Sequence, residues 1–251
     1  MIPSEKYIND TQLEHFVRDD KFLDISNELV FTINKYFDKG ANFKFLDIGC
    51  GDGYLGDKIL ENYPHSSGCF LDIAKTMIEK NKKKERKKLI LGSVFNLENI
   101  FHDHEKFDVI AVNMLLHHCV GDTYKKSREN VNLILKSLKP LLSKDGKIYI
   151  LEQVYDGIIM PSITARLIYG LTSIERPKFL VRLLYSLGAN MAGTGVAFAS
   201  NNQWCRTFHQ LDYKVKLENI ISIDNHSFFR RSFLVMKSSY EKLFILSSSS
   251  K

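Results

Sequence analysis

The sequence predicts an α/β fold, with a mostly parallel seven-stranded sheet, an antiparallel last strand and a helical cap insertion. Three observations carry this expectation. Five short apolar segments alternate with stretches of mostly helical spacing, as in a sheet covered on both faces. The first of these segments runs directly into a turn with three alternate glycines. The last two apolar segments have no obvious helix between them and read as a hairpin at the end of the sheet.

The elements follow in order. From about Asp20 to Asp38, Phe22, Ile25, Leu29, Ile33 and Tyr36 fall three or four apart, and Gly40 follows as a stop. Phe43–Ile48 is a short apolar strand. Tyr54–Tyr63 reads as a helix closed by Pro64, and Gly68–Ile73 as a second strand ending in an acid. Ala74–Lys84 is helical, Leu89–Leu91 is a third strand and Phe107–Val112 a fourth. Tyr124–Leu142 is a long amphipathic helix using Val131, Leu133, Leu135, Leu138 and Leu141, and Lys147–Leu151 is a fifth strand. The alternation then breaks. Pro161 opens one helical pattern (Ile163, Leu167, Leu171, Ile174), and Pro177 opens another (Leu180, Leu183, Leu184, Leu187) that Gly188 stops. This pair reads as an insertion over residues 153–201 of a single domain spanning 1–251. A helix near Asn202–Leu211 and strands near Val215–Ile223 and Phe229–Met236 complete the chain, with the serine run Ser247–Ser250 read as frayed.

Composition narrows the function classes. The chain has 251 residues, 44% hydrophobic and 25% charged, which suits a globular fold and excludes a largely disordered or collagen-like chain. The formal charge is +6, but residues 80–88 alone hold seven Lys/Arg against one Glu. The remainder is balanced, so there is no basic face of the kind nucleic-acid binders spread over a groove, and the run reads as a solvated helix end and turn. Cys50, Cys69, Cys119 and Cys205 form no CxxC pair, and Met1–Asp20 is polar without an apolar leader segment. A reducing, cytoplasmic setting is therefore expected. His102 and His104 stand without further ligands at metal spacing, so no metal is expected. The longest uncharged stretches carry too many polar residues for a membrane span.

The strongest chemical signal is Leu46-Asp47-Ile48-Gly49-Cys50-Gly51-Asp52-Gly53. Glycines without Cβ let a ligand approach the backbone closely. An open parallel sheet binds ligands beyond the carboxyl ends of its strands, where this turn lies. Gly51–Gly56 also fits the GxGxxG pattern, and Asp72 stands where a ribose-binding acid belongs, so a nicotinamide-dependent oxidoreductase is a competing reading. Two features weigh against it. Counted from Gly49, which directly follows the strand, the last glycine of the fingerprint falls on Tyr54, and Asp47 near the strand end suits a cation better than a pyrophosphate.

Residues 45–53 resemble the first motif of class I S-adenosylmethionine-dependent methyltransferases, and the resemblance runs over about 20–151 and, more weakly, 202–237. It is strongest to the small-molecule branch that includes the ubiquinone- and menaquinone-type enzymes, whose fold is Rossmann-like. The resemblance implies that Asp47, Gly49, Cys50, Gly51 and Gly53 cradle the amino-acid end of S-adenosylmethionine. Asp72 takes the ribose hydroxyls, Ile73 packs on adenine, and Ser93 and Val94 meet the adenine edge. Many members carry Asp at the Ser93 position, so a backbone contact substitutes there. Asn113 and Met114 end the fourth strand, where Asn113 and loop N–H groups would hold the cofactor's carboxylate. Leu115-Leu116-His117-His118 resembles the Leu-His-His run of this branch.

Methyl transfer is an in-line displacement, in which orientation counts most and a base is needed only for a protonated acceptor. His118 is the candidate base, with His117 behind it, and Glu152 at the end of the fifth strand is a candidate acceptor contact; Tyr155 is a weaker one. Asn113-Met114-Leu115-Leu116 lacks the Pro-Pro-aromatic run usual in nucleic-acid amino methylation, so a small acceptor and no nucleic acid are expected. The insertion is rich in Ile, Leu, Tyr and Phe with Arg166, Arg176 and Arg182 interspersed, which suits an apolar or amphiphilic acceptor with an anionic group. The same segment is a candidate homodimer face. A non-catalytic module that kept the cofactor site is the third reading.

Overall fold

The computed structural model describes residues 20–102, 105–173 and 195–248. Helix α1 (Asp20–Ile33) leads to β1 (Lys44–Ile48), α2 (Tyr54–Asn62), β2 (Ser67–Asp72), α3 (Lys75–Lys80), β3 (Lys87–Leu91), α4 (Leu97–Ile100) and β4 (Phe107–Asn113). Then follow α5 (Tyr124–Leu138), β5 (Leu142–Gly157), α6 (Ile163–Ser173), α7 (Asn201–Gln210), β6 (Tyr213–Ile223), α8 (Phe228–Phe233) and β7 (Met236–Ser248).

The seven strands form one sheet in the order β3-β2-β1-β4-β5-β7-β6. Strands β1 to β5 pair in parallel, and β7 runs antiparallel to both its neighbours. The expected seven-stranded, mostly parallel sheet is therefore present. From β1 the chain steps outward to β2 and β3, then returns to place β4 on the other side. That reversal opens a crevice beyond the carboxyl ends of β1 and β4.

Both faces of the sheet are covered, which explains the unbroken apolar runs of β1 and β4. Phe45, Val109 and Phe70 pack against Leu29, Ile33, Ile59 and Tyr63 on one face. Leu46, Ile110 and Val112 pack against Val131, Leu135, Trp204 and Phe208 on the other. Each such fully buried side chain contributes roughly 1.5–3 kcal/mol. Phe45 and Phe70 meet edge to face at 5.6 Å, so this part of the core also fixes ring geometry.

Several boundaries differ from the sequence expectation. The segment expected as a strand over Phe229–Met236 is helix α8, capped by the Ser227 hydroxyl, which accepts from Arg230 N. Its Phe228, Phe229 and Phe233 are exposed, so burial never drew it into the sheet. The last strand instead continues to Ser248, paired with Tyr213, so Ser247 and Ser248 are not frayed. Its apolar pattern is hidden because Lys242 is buried there, held by Glu218 and Asn201 Oδ1. Helix α3 ends at Lys80, short of Lys84. Helix α5 ends at Leu138, and a 3₁₀ turn with Pro140 follows. Strand β5 runs on to Gly157, so the chain leaves the sheet later than its apolar run suggests. Only the first helix of the expected cap pair, α6, falls among the described residues; the pattern from Pro177 to Gly188 lies outside them, as do His104, Arg176, Arg182, Ser249 and Ser250.

The basic run also departs from expectation at its end. Arg86 donates to the carbonyls of Leu60, Tyr63 and Ser66. Lys87 is buried, 2.9 Å from Asp57 and over the Phe70 ring. These two residues tie the start of β3 to α2 and to the turn after it.

Candidate active site

The turn after β1 is built by left-handed backbone. Gly49, Gly51 and Gly53 have φ of +69°, +54° and +85°, a region that strains residues with a Cβ. At Gly51 an added Cβ would meet nothing within 4 Å, so this side of the turn faces open space. At Gly53 it would fall 2.0 Å from Asn81 Oδ1. Asn81 closes the turn from behind, donating its amide to Gly51 O at 2.8 Å. Sequence reasoning missed Asn81, because its contact with the turn is tertiary and its neighbours are lysines.

Four N–H groups of the turn are engaged within the protein. Gly49 N and Cys50 N donate to Leu71 O, Gly53 N donates to Cys50 O, and Gly51 N donates to Asp72 Oδ2 at 2.8 Å. These four are engaged by the protein itself. The turn serves instead as a surface of close approach, clamped to β2. Cys50 is buried, and desolvation pushes its thiol far above the usual range, so it is a packing residue of the turn.

Asp72 stands at the carboxyl end of β2. Its second oxygen accepts from Ala74 N at 2.8 Å, so two backbone donors fix the carboxylate and leave each oxygen further lone pairs. Desolvation raises its pKa against those two hydrogen bonds. Ile73 beside it is 39% exposed. Ser93 starts the turn after β3, and its hydroxyl caps Phe95 N at 3.0 Å. Val94 lies partly buried against the core.

Asp47 turns away from the open side. Its carboxylate is fully buried under α2 and accepts from Gly56 N at 3.1 Å. Desolvation raises its pKa to about 7, and the nearby Asp72 adds to the rise. The sequence placed this acid facing the loop; the structure places it beneath the loop, where it holds the first turn of α2.

At the end of β4, Asn113 is followed by Met114 with φ +50°, a strained conformation for a residue with a side chain. Among the described residues the buried Asn113 Oδ1 has no donor. Buried polar atoms are ordinarily hydrogen-bonded, so an orphaned acceptor beside the glycine turn fits a ligand's donor.

The histidine pair lies in the next turn. Glu152, fully buried on β5, accepts from Leu116 N at 2.6 Å and lies 2.7 Å from His117 Nδ1. A carboxylate only accepts, so in this pair Nδ1 is the donor. Phe198 stacks on the His117 ring at 4.6 Å, and Ala197 N donates to His117 O. His118 is turned inward, its ring 4.1 Å from that of His117. Burial holds its pKa well below the ordinary value, with His117 adding to the effect. Of the expected residues, His117 and Glu152 come together, and the His118 ring packs against that of His117. Tyr155 packs on Phe198 at 4.8 Å. Phe198 itself was missed, because a single aromatic ahead of α7 carries no periodic signal.

Among the described residues no group of three or more His, Cys, Asp or Glu is placed to hold a metal, and no helix is long and apolar enough to cross a membrane.

Residues 46–148 match the family model described as a methyltransferase domain. Over 65 residues the chain is 43% identical to malonyl-[acyl-carrier protein] O-methyltransferase 2 of Ilyobacter polytropus, covering 26% of this chain and 23% of that protein. Over 134 residues it is 27% identical to ribosomal RNA small subunit methyltransferase C of Haemophilus influenzae, covering 53% of this chain and 38% of that one. The chain thus spans less than half the length of these curated relatives. In fold it is similar to the plantazolicin methyltransferase BpumL, solved in complex with SAH, with a TM-score of 0.57 at 18% identity over 95% of this chain and 88% of that one. The strand order, the glycine turn and the acid ending β2 agree with these matches: residues 46–148 are similar to a methyltransferase domain, on a Rossmann-like fold shared with S-adenosylmethionine-dependent methyltransferases.

Proposed function

We propose that the chain transfers a methyl group from S-adenosylmethionine to a small, apolar or amphiphilic acceptor. The observation that carries this reading is the pairing of His117 with Glu152 at the carboxyl ends of β4 and β5, beside the crevice at the switch point. A module that only stored the cofactor has no use for a buried imidazole–carboxylate pair there.

The residues present fit the cofactor. Gly51 leaves its side of the turn open, Asp72 has lone pairs for two ribose hydroxyls, and Ile73 offers an apolar face to adenine. The orphaned Asn113 Oδ1 is an acceptor, so it suits the ammonium of the amino-acid end and not the carboxylate. S-adenosylmethionine supplies a methyl group activated by the positive charge on its sulfur. The protein aligns the acceptor with that methyl, a contribution worth roughly 7–11 kcal/mol in well-oriented reactions. Where the acceptor is a hydroxyl or enol, His117 Nε2 takes its proton. Glu152 is the positioning residue: it fixes the tautomer and stabilises the imidazolium. His118 stays neutral and supports the ring.

The rim supports an amphiphilic acceptor. Ile158, Ile159 and Met160 follow β5 and are exposed, and Ile158 N bonds Val235 O beside α8, whose Phe228, Phe229 and Phe233 are also exposed. The ribosomal RNA relatives raise a second reading, but the run Asn113–Leu116 supplies no Pro-Pro-aromatic platform for a flipped base.

The test has two steps. Calorimetry compares S-adenosylhomocysteine with NADH, and only the first should bind. Labelled methyl donor is then offered with a small-molecule extract and, separately, with ribosomal RNA. Label in a low-mass product supports the proposal; label in RNA alone, or binding of NADH alone, overturns it.

A further inference from the structure

Arg128 lies on α5, one turn after Tyr124, and Trp204 lies near the start of α7. Helix α5 begins beyond the carboxyl end of β4. Helix α7 begins beside the carboxyl end of β5, where Asn201 N bonds Asp156. About one turn inside each helix, the Arg128 guanidinium stacks on the indole at 4.5 Å. Arg128 Nη1 and Nη2 are buried, as is Trp204 Nε1, and among the described residues none of the three has an acceptor.

The neighbouring oxygens are already engaged. Tyr124 donates its hydroxyl to Phe198 O at 2.7 Å and bonds Gln203 Oε1 at 3.0 Å. Glu152 lies within electrostatic reach of Arg128 but gives its two oxygens to Leu116 N and His117. A guanidinium keeps its charge in a protein, and a buried cation without a hydrogen-bonded partner is strongly unfavourable. Its planar fork matches an oxyanion, and the indole N–H on the ring it stacks against is a further buried donor. Phe198 links this place to the reaction centre, since its ring stacks on His117 and its carbonyl holds Tyr124.

We propose that Arg128 and Trp204 Nε1 form an oxyanion-binding site that anchors a carboxylate or phosphate of the acceptor. Its role in acceptor choice rests on the methyltransferase reading; its existence does not.

Trp204 is the chain's single tryptophan, so its emission reports on the site directly. The intact protein is titrated with sodium acetate and, separately, inorganic phosphate at constant ionic strength, with chloride as the matched control. Each titration is run with and without saturating S-adenosylhomocysteine, which fills the cofactor's own carboxylate position. The expected result is a saturable change in Trp204 emission with one oxyanion and none with chloride. A response to acetate marks a carboxylate-bearing acceptor, and a response to phosphate marks a phosphorylated one. Arg128→Met should raise the apparent Kd at least tenfold while the affinity for S-adenosylhomocysteine stays within twofold. If Arg128→Met does not fold, Arg128→Lys carries the test, with a several-fold rise expected. Absence of saturation with both oxyanions, or a response unchanged in the variant, overturns the site. Failure of the wild type to bind S-adenosylhomocysteine overturns the methyltransferase reading instead and leaves this titration to be judged alone.

Discussion

His117 Nδ1 lies 2.7 Å from Glu152 Oε2, and the same carboxylate holds Leu116 N, so one buried acid fixes both the ring and the backbone of the turn that carries it. Removing the imidazole should cost more than removing the acid's charge. His117→Ala is expected to lower kcat by 10²–10⁴-fold, the usual contribution of a positioned base. Glu152→Gln should retain hydrogen-bonding capacity but lose the charge that favours the imidazolium. Its rate should fall less, and the acid limb of its pH–rate profile should move to lower pH. Steady-state rates on the acceptor found by the labelling screen check this. An unshifted limb in Glu152→Gln assigns the proton transfer to another group.

How far the site was legible in the sequence depends on how local each contact is. The glycine turn, Asp72 and the strand that precedes each were legible, because spacing within a few residues sets them. Asn81, Lys87 and Phe198 were not, since each acts through a partner far along the chain: Gly51, Asp57 and His117. The pairing of His117 with Glu152 was hidden for the same reason, as the acid reaches it from another strand. In the fold, β1 to β5 were readable as apolar runs. The last strand was misplaced because Glu241 and Lys242 are buried in it and break the apolar signal.

Gly51 and Gly53 should separate binding from stability. Gly51→Ala forces a side chain into φ +54° at a strain of about 1–2 kcal/mol, but its Cβ meets no protein atom within 4 Å. The variant should fold, melt a few degrees lower and bind S-adenosylhomocysteine at least tenfold more weakly. Gly53→Ala drives a Cβ to 2.0 Å from Asn81 Oδ1 and should lose more stability than Gly51→Ala. Thermal melts and calorimetry on the two variants give the comparison. Wild-type affinity in Gly51→Ala means that no ligand approaches this side of the turn.

Lys87 is buried against Phe70 with Asp57 as its close carboxylate, which also pairs with Lys84 at 3.3 Å. Asp57→Asn leaves a buried ammonium without its countercharge and should destabilise by ~3 kcal/mol in urea unfolding. Lys87→Met removes that charge and keeps most of the volume, so its loss should be below about 1.5 kcal/mol. A larger loss in Lys87→Met than in Asp57→Asn contradicts the assignment of Lys87 as a charge that depends on Asp57.

Asp47 should make the stability of the ligand-free protein pH-dependent. Desolvation beneath α2 is the main cause of its raised pKa, about 7 against an ordinary 3.8. The folded state therefore holds a proton that the unfolded state has released across this interval. The sign follows from linkage: the stabilisation is fully present below about pH 4, declines as pH rises and is gone above about 7. Asp72, raised in the same direction, adds to the decline. Melting temperature measured from pH 5 to 7.5 should fall in the wild type and fall less in Asp47→Asn. The variant keeps a side-chain oxygen for Gly56 N, so a loss of α2 does not explain the difference. Saturating S-adenosylhomocysteine should flatten the wild-type slope, because the ligand's ammonium beside Asn113 favours the ionised acid at the neighbouring strand end. Equal slopes in wild type and Asp47→Asn would show that Asp47 is already ionised in the folded protein.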